Sequence, residues 1–307
     1  MNRRDAMMLA ATGGTAALLA GATRASPSRP SEGGAARGSG FVSTTDGTDL
    51  FVRDWGEGRP ILFLSGWTLP SDFWAYQMLA MAQRGYRAVS YDRRGHGRSS
   101  DPGRNYDHDR LADDLLAVIE ARRLDDIVVV AHSMGGTEIA RYFARHAGRG
   151  ISKVMLVGTI TPFLMKTSDN PLGVDRHVLA AMRAPLERDF PGWIDANTPP
   201  FFVADSSPDM MQWGKSMMLE TSLLAAAMLA KANAETDFRP DLPRIQVPTL
   251  LIHGDRDVSA ALAITAQPST RLIAGARLKV YPGAPHGLPL THVEQLNEDV
   301  ADFSRSG

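Results

Sequence analysis

The stretch "IVVVAHSMGGTEIA", residues 127–140, decides how the chain is read. Ile127 to Val130 is an apolar, β-branched run without polar alternation, as expected of a strand buried on both faces. From Met134 onward the pattern becomes helical. A serine at such a junction can be lifted clear of the sheet by a sharp strand-to-helix turn. That turn strains the backbone and needs small residues two before and two after the serine, which is the physical content of Gly-x-Ser-x-Gly. Here Ala131 holds the leading place and Gly135 the trailing one. One added methyl group is tolerable where bulk, rather than a positive φ, is the constraint. Ser133 is therefore a candidate nucleophile. The plainer explanation is that it only caps the helix that follows.

Outward from this junction, strand-like and helix-like stretches alternate. Strands are expected at 50–56, 60–66, 86–92, 126–133, 151–158, 248–255 and 277–283. Helices are expected at 71–84, 107–122, 134–146 and about 291–303. Repeated alternation with buried strands argues for a mostly parallel α/β sheet with helices on both faces. The core is expected at 41–160 and 239–307. Between 161 and 238 the alternation stops, and a stretch rich in Met, Pro and aromatic residues reads as a helical cap insertion over one edge of the sheet, with a minority of its apolar side chains expected to line a pocket beyond the carboxyl ends of the strands.

Composition narrows the function. The 307 residues carry a formal charge of −1, with 44% hydrophobic and 22% charged residues. No charge run offers a surface for nucleic acid. There is no cysteine, which excludes a thiol nucleophile or a thiolate metal site. No cofactor is called for. Residues 1–25 pair Arg3 and Arg4 with a short apolar, small-residue stretch, the layout of a twin-arginine export signal, and residues 26–40 form a Pro/Gly/Ser linker expected to be disordered. Export to the periplasm or medium is the expectation. The apolar stretch is too short and too rich in Gly and Thr for stable membrane insertion.

A serine nucleophile needs a histidine base and an orienting carboxylate, in the chain order Ser, Asp or Glu, His. Four histidines follow the helix at 134–146. His177 lies in the insertion, His253 inside an apolar run, and His292 at the start of the last helix. His286, in "YPGAPHGLPLTH" directly after the last strand, is the candidate base. In "IHGDRD" Asp257 is the candidate acid, with Asp255 expected to bond the turn instead. No carboxylate follows the strand "VMLVGTITPF". The oxyanion donors are expected to be the backbone N–H groups of Trp67 and Met134. His132 should point away from the serine.

Together "TTDGTDLFVRDWGEGRPILFLSGW", "YDRRGHGRSS", "AHSMGG", "ETDFRPDL", "VPTLLIHGD" and "LKVYPGAPHGLPLTH" resemble the α/β-hydrolase superfamily, and within it the cofactor-free haloperoxidase, arylesterase and perhydrolase group. The resemblance runs from about 44 to 303. It puts Ser133, Asp257 and His286 on that group's triad, and Trp67 and Met134 on its oxyanion positions. Three positions depart from the group. Ser65-Gly66 replaces a His-Gly pair, Thr68 replaces a proline common in peroxide-using members, and "VSAA" at 258–261 replaces Ile-Val-Pro. The expected activity is hydrolysis of a small-molecule carboxylic ester, small or aryl. The rivals are a perhydrolase or haloperoxidase, a lactonase, and a non-catalytic ligand-binding protein. Oligomeric state is not legible in the sequence.

Overall fold

The structure, a computed structural model, describes residues 40–306. The expected export signal, and all but the last residue of the expected linker, lie outside the described residues.

Eight strands form one sheet. They are β1 (Phe41–Ser43), β2 (Asp49–Trp55), β3 (Pro60–Leu64), β4 (Arg87–Tyr91), β5 (Ile127–His132), β6 (Ile151–Val157), β7 (Thr249–Gly254) and β8 (Arg277–Tyr281). Their order is β1-β2-β4-β3-β5-β6-β7-β8. The pairs β1–β2 and β2–β4 are antiparallel, and every later pairing is parallel. This is the expected α/β-hydrolase fold, with β5 near the middle of the sheet. The helices are α1 (Ala75–Gln83), α2 (His108–Ala121), α3 (Met134–His146), α4 (Arg176–Arg188), α5 (Phe190–Asn197), α6 (Pro208–Leu219), α7 (Leu223–Glu235), α8 (Ala266–Leu272), α9 (Leu288–Thr291) and α10 (Val293–Arg305).

The unbroken apolar runs serve two cores at once, because successive strand residues point to opposite faces. Leu62, Leu64, Val129, Ala131 and Leu156 pack with Leu115 and Val118 of α2 and Ile139 and Phe143 of α3. Ile61, Phe63, Val128, Val130 and Val157 pack with Met78 and Met81 of α1 and with Leu296 and Val300 of α10. Each fully buried side chain of this kind contributes about 1.5–3 kcal/mol.

Helix ends follow local chemistry. Asp107 caps α2 through the N–H of Arg110, Ser207 caps α6 and Ser222 caps α7. Two expectations are refined. The helix expected from Ser71 opens with a tight turn over Ser71–Trp74 before α1, and the helix expected at about 291–303 is α10, preceded by the short α9. Helices α4 to α7, with a short turn at Pro199–Phe201, fill the chain between β6 and β7.

Candidate active site

Ser133 occupies the turn between β5 and α3 at φ 52°, ψ −115°, a backbone region that non-glycine residues rarely enter. Its N–H donates to the carbonyl of Val157 at 2.9 Å, which anchors the turn to β6. Its side chain makes no capping bond to α3, so the plainer explanation of this serine fails on geometry. Gly135 is needed for space. A Cβ there would lie 2.8 Å from the carbonyl oxygen of Leu64. Ala131 has no positive φ and is the next-to-last residue of a buried strand, so alanine satisfies the leading position.

The Ser133 hydroxyl instead meets the loop after β8. Oγ lies 2.9 Å from His286 Nε2, and His286 Nδ1 lies 2.6 Å from Asp257 Oδ2. The other oxygen of Asp257 accepts the N–H groups of Ser259 at 2.9 Å and Ala260 at 2.7 Å. A carboxylate facing Nδ1 makes that nitrogen the donor, which leaves Nε2 to accept the serine proton. Burial pushes the Asp257 carboxyl up, but His286, His253 and the Ala260 N–H together hold it below the ordinary value. It is therefore ionised at neutral pH. Asp255 accepts the N–H of Gly283 at 2.7 Å and stays at the turn. The "VSAA" segment supplies both backbone donors to Asp257.

Two histidines brace this line. His132 turns away from the serine, and its Nε2–H donates to the His286 carbonyl at 2.9 Å. His253 Nε2–H donates to the Ala260 carbonyl at 2.6 Å and sits 3.4 Å from Asp257 Oδ2. Burial lowers the pKa of both and keeps them neutral. Position within an apolar run gave no sign that His253 would reach Asp257. His177 is exposed on α4, and half-buried His292 bonds Thr291.

The loop after β3 approaches from the other side. A Cβ on Gly66 would lie 2.7 Å from His132 Nδ1 and 3.2 Å from Ser133 Cβ, so glycine allows this close contact. The N–H groups of Trp67 and Met134 donate to no other backbone group among the described residues. Arg93, which sequence reasoning did not single out, sits behind the loop at 2% exposure. It donates to the carbonyls of Ser65 at 2.5 Å and Gly66 at 3.2 Å, and its Nε pairs with Glu138 of α3 at 2.5 Å. The Tyr91 hydroxyl bonds the same carboxylate. A trans peptide sets its C=O and N–H in opposite directions. By fixing the Gly66 carbonyl, Arg93 therefore aims the Trp67 N–H away from itself. Ser65 turns its own hydroxyl to the Pro70 carbonyl at 2.9 Å.

Above the serine is a cavity of about 310 Å³, lined by Ser133 and His286 and by apolar side chains including Leu164, Leu186, Trp193, Phe201 and Met218. The Trp67 indole donates to the Ala226 carbonyl of α7 at 3.0 Å and meets Trp193 edge-on at 5.2 Å. The N–H of Gly287 donates to the Phe201 carbonyl at 3.0 Å. The insertion is thus fastened to the loop after β3 and to the loop that carries His286. Among the described residues, no three His, Asp or Glu side chains cluster as a metal site would require, and no helix is long and apolar enough to cross a membrane.

Comparison with known proteins agrees with this architecture. A non-heme haloperoxidase of Rhodococcus erythropolis is 41% identical over 273 residues, covering 87% of this chain and 99% of the relative. A bifunctional esterase/perhydrolase of Acinetobacter calcoaceticus is 36% identical, covering 87% of this chain and all of the relative. The crystal structure of a bromoperoxidase from Bacillus anthracis superposes with a TM-score of 0.83 at 31% identity, covering 87% of this chain and 99% of that one. The family model described as the alpha/beta hydrolase family matches residues 61–303, and with relatives this similar along nearly their whole length, the chain belongs to that family.

Proposed function

We propose that this protein hydrolyses small or aryl carboxylic esters through an acyl-enzyme on Ser133. The observation that carries this reading is the continuous line from Asp257 through His286 to an uncapped Ser133 hydroxyl that opens on an apolar cavity. His286 Nε2 takes the Ser133 proton as Oγ attacks the ester carbonyl, and the ionised Asp257 stabilises the imidazolium that forms. The N–H groups of Trp67 and Met134 receive the oxyanion. His286 then protonates the leaving alcohol, and water releases the acid. No cofactor enters this scheme.

A second reading is supported by the haloperoxidase and perhydrolase relatives. Hydrogen peroxide would replace water in the second step and release a peracid. Thr68 weighs against it as the main activity. At φ 61° its backbone is in a conformation that proline cannot take, so the loop is more than a proline loop with one side chain exchanged. Export through a twin-arginine-type signal also belongs to this proposal, and cell fractionation with Arg3 and Arg4 changed to Lys tests it.

The decisive assay is hydrolysis of p-nitrophenyl acetate and butyrate by the protein and by Ser133→Ala, each with and without peroxide. The variant should lose at least ~10³-fold in kcat. Activity retained in Ser133→Ala would overturn the mechanism. Peracid formed faster than acid in the peroxide arm would make the second reading the correct one.

A further inference from the structure

The cavity over Ser133 is apolar, yet one formal charge lines it. Arg183 of α4 reaches it with its side chain only 18% exposed. No Asp or Glu is among the lining residues. Arg183 makes no hydrogen bond among the described residues, and its one ion contact there is Nε to Glu187 Oε1 at 3.7 Å, where Glu187 is 57% exposed. A guanidinium offers five N–H donors in a planar fork, and here the fork has no hydrogen-bonding acceptor among the described residues, so it is open to an anion that enters the cavity.

We infer that this site selects esters whose acyl chain ends in a carboxylate, that is, monoesters of dicarboxylic acids, with Arg183 pairing the free carboxylate. The inference rests on the hydrolase reading above. Both arginine and serine line one cavity, but they come from different parts of the fold. Arg183 belongs to the insertion, whereas Ser133 and the Trp67 and Met134 N–H groups belong to the loops at the strand ends. The oxyanion at the reacting carbonyl has the Trp67 and Met134 N–H groups as its donors, which leaves the Arg183 guanidinium for a second charge on the substrate. A cavity of about 310 Å³ suits an acyl chain of a few carbons. A bidentate carboxylate is the partner that matches the guanidinium fork best.

The test compares p-nitrophenyl monoesters of succinate, glutarate and adipate with neutral p-nitrophenyl esters of equal chain length. For at least one pair, kcat/KM should favour the carboxylate by about tenfold or more, chiefly through KM. Arg183→Gln should erase that ratio, and Arg183→Glu should invert it. No preference at any length, or a preference that survives Arg183→Gln, would overturn the inference while leaving the esterase reading intact. Ser133→Ala run on the neutral esters separates the two. If it hydrolyses them as well as the parent protein does, the hydrolase reading fails and this inference fails with it.

Discussion

Two arginines flank Ser133, and the fold treats them in opposite ways. Arg93, behind the loop after β3, is buried and has three acceptors: Glu138 and the carbonyls of Ser65 and Gly66. Arg183, in the insertion, is mostly buried and has no hydrogen-bonded partner among the described residues. A saturated cation holds a structure in place, while an unsaturated one waits for a ligand. The same division separates the two regions around them. The sheet and its helices bury most of their apolar residues and leave Phe41, Tyr76, Leu79 and Val280 exposed, while the shorter insertion leaves Leu172, Val178, Met182, Leu219, Leu223, Leu224 and Met228 exposed. The strand-end loops hold geometry, and the inference above gives the insertion the task of selection.

Substitution at the two arginines tests that contrast most severely. Arg93→Gln leaves the Glu138 carboxylate buried without its cation, a change that typically costs ~3–5 kcal/mol. It also frees the Gly66 carbonyl, so kcat should fall while KM changes little. Arg93→Lys should recover part of the stability but less of the rate, since an ammonium cannot span Glu138 and both carbonyls with the same fork. Arg183→Gln should move stability by no more than about 0.5 kcal/mol. Denaturant unfolding alongside steady-state kinetics checks all three. Similar stability losses at both sites would remove the distinction between a holding and a recognising arginine.

How much of this was readable beforehand follows the same division. The β5–α3 junction was legible because burial on both faces imposes an unbroken apolar run and the tight turn imposes small residues. Ser133, Asp257 and His286 were found because their chemistry requires particular residue types in a particular order at strand ends, and the structure brings those three side chains into hydrogen-bond contact. β1 went unseen because three residues in an exposed–buried–exposed pattern carry almost no period. α8 went unseen because "AQPSTRL" has a proline and two hydroxyl residues in seven positions. Arg93 was hidden for another reason. In "YDRRGHGRSS" an arginine that binds buried carbonyls looks no different from one in solvent. Only the folded loop shows that Asp92, Arg93, Arg94 and His96 are all buried.

Acid should find the saturated region first. Burial holds His96 at a pKa of about 4 and His108 at about 3, and it also lowers His132 and His253. All four lie in the core region, whereas His177 of the insertion is exposed. Below the ordinary histidine value near 6.5 the unfolded chain takes up protons that the folded chain refuses. Stability is therefore complete above that pH and falls as pH drops through the window toward 4. For His96 alone the displacement is worth roughly 3 kcal/mol by pH 4. Asp257, held below its ordinary value, adds a further loss only at lower pH, as its folded form becomes protonated. The melting temperature should accordingly drop steeply between pH 6.5 and 4.5, and His96→Gln should flatten part of that slope. A melting temperature that stays level across this interval would mean these histidines are not held neutral by the core.

The smallest effect concerns the alanine at the head of the turn. Ala131 is wholly buried near the end of β5, opposite Leu64 and Leu156, and its backbone does not enter the positive-φ region. The strained residue is Ser133 itself. Ala131→Gly would therefore relieve nothing. It would remove a buried methyl group and loosen a strand residue, each at a cost of about 0.5–1 kcal/mol. Turnover should stay within about twofold, because the Ser133 φ, its bond to Val157 and the line to His286 do not depend on that methyl. A tenfold gain in kcat would show that the methyl had been pressing on the turn, and that the leading position is limited by strain as well as by space. A small loss of stability with unchanged turnover would show that the regular motif asks only for smallness at this position.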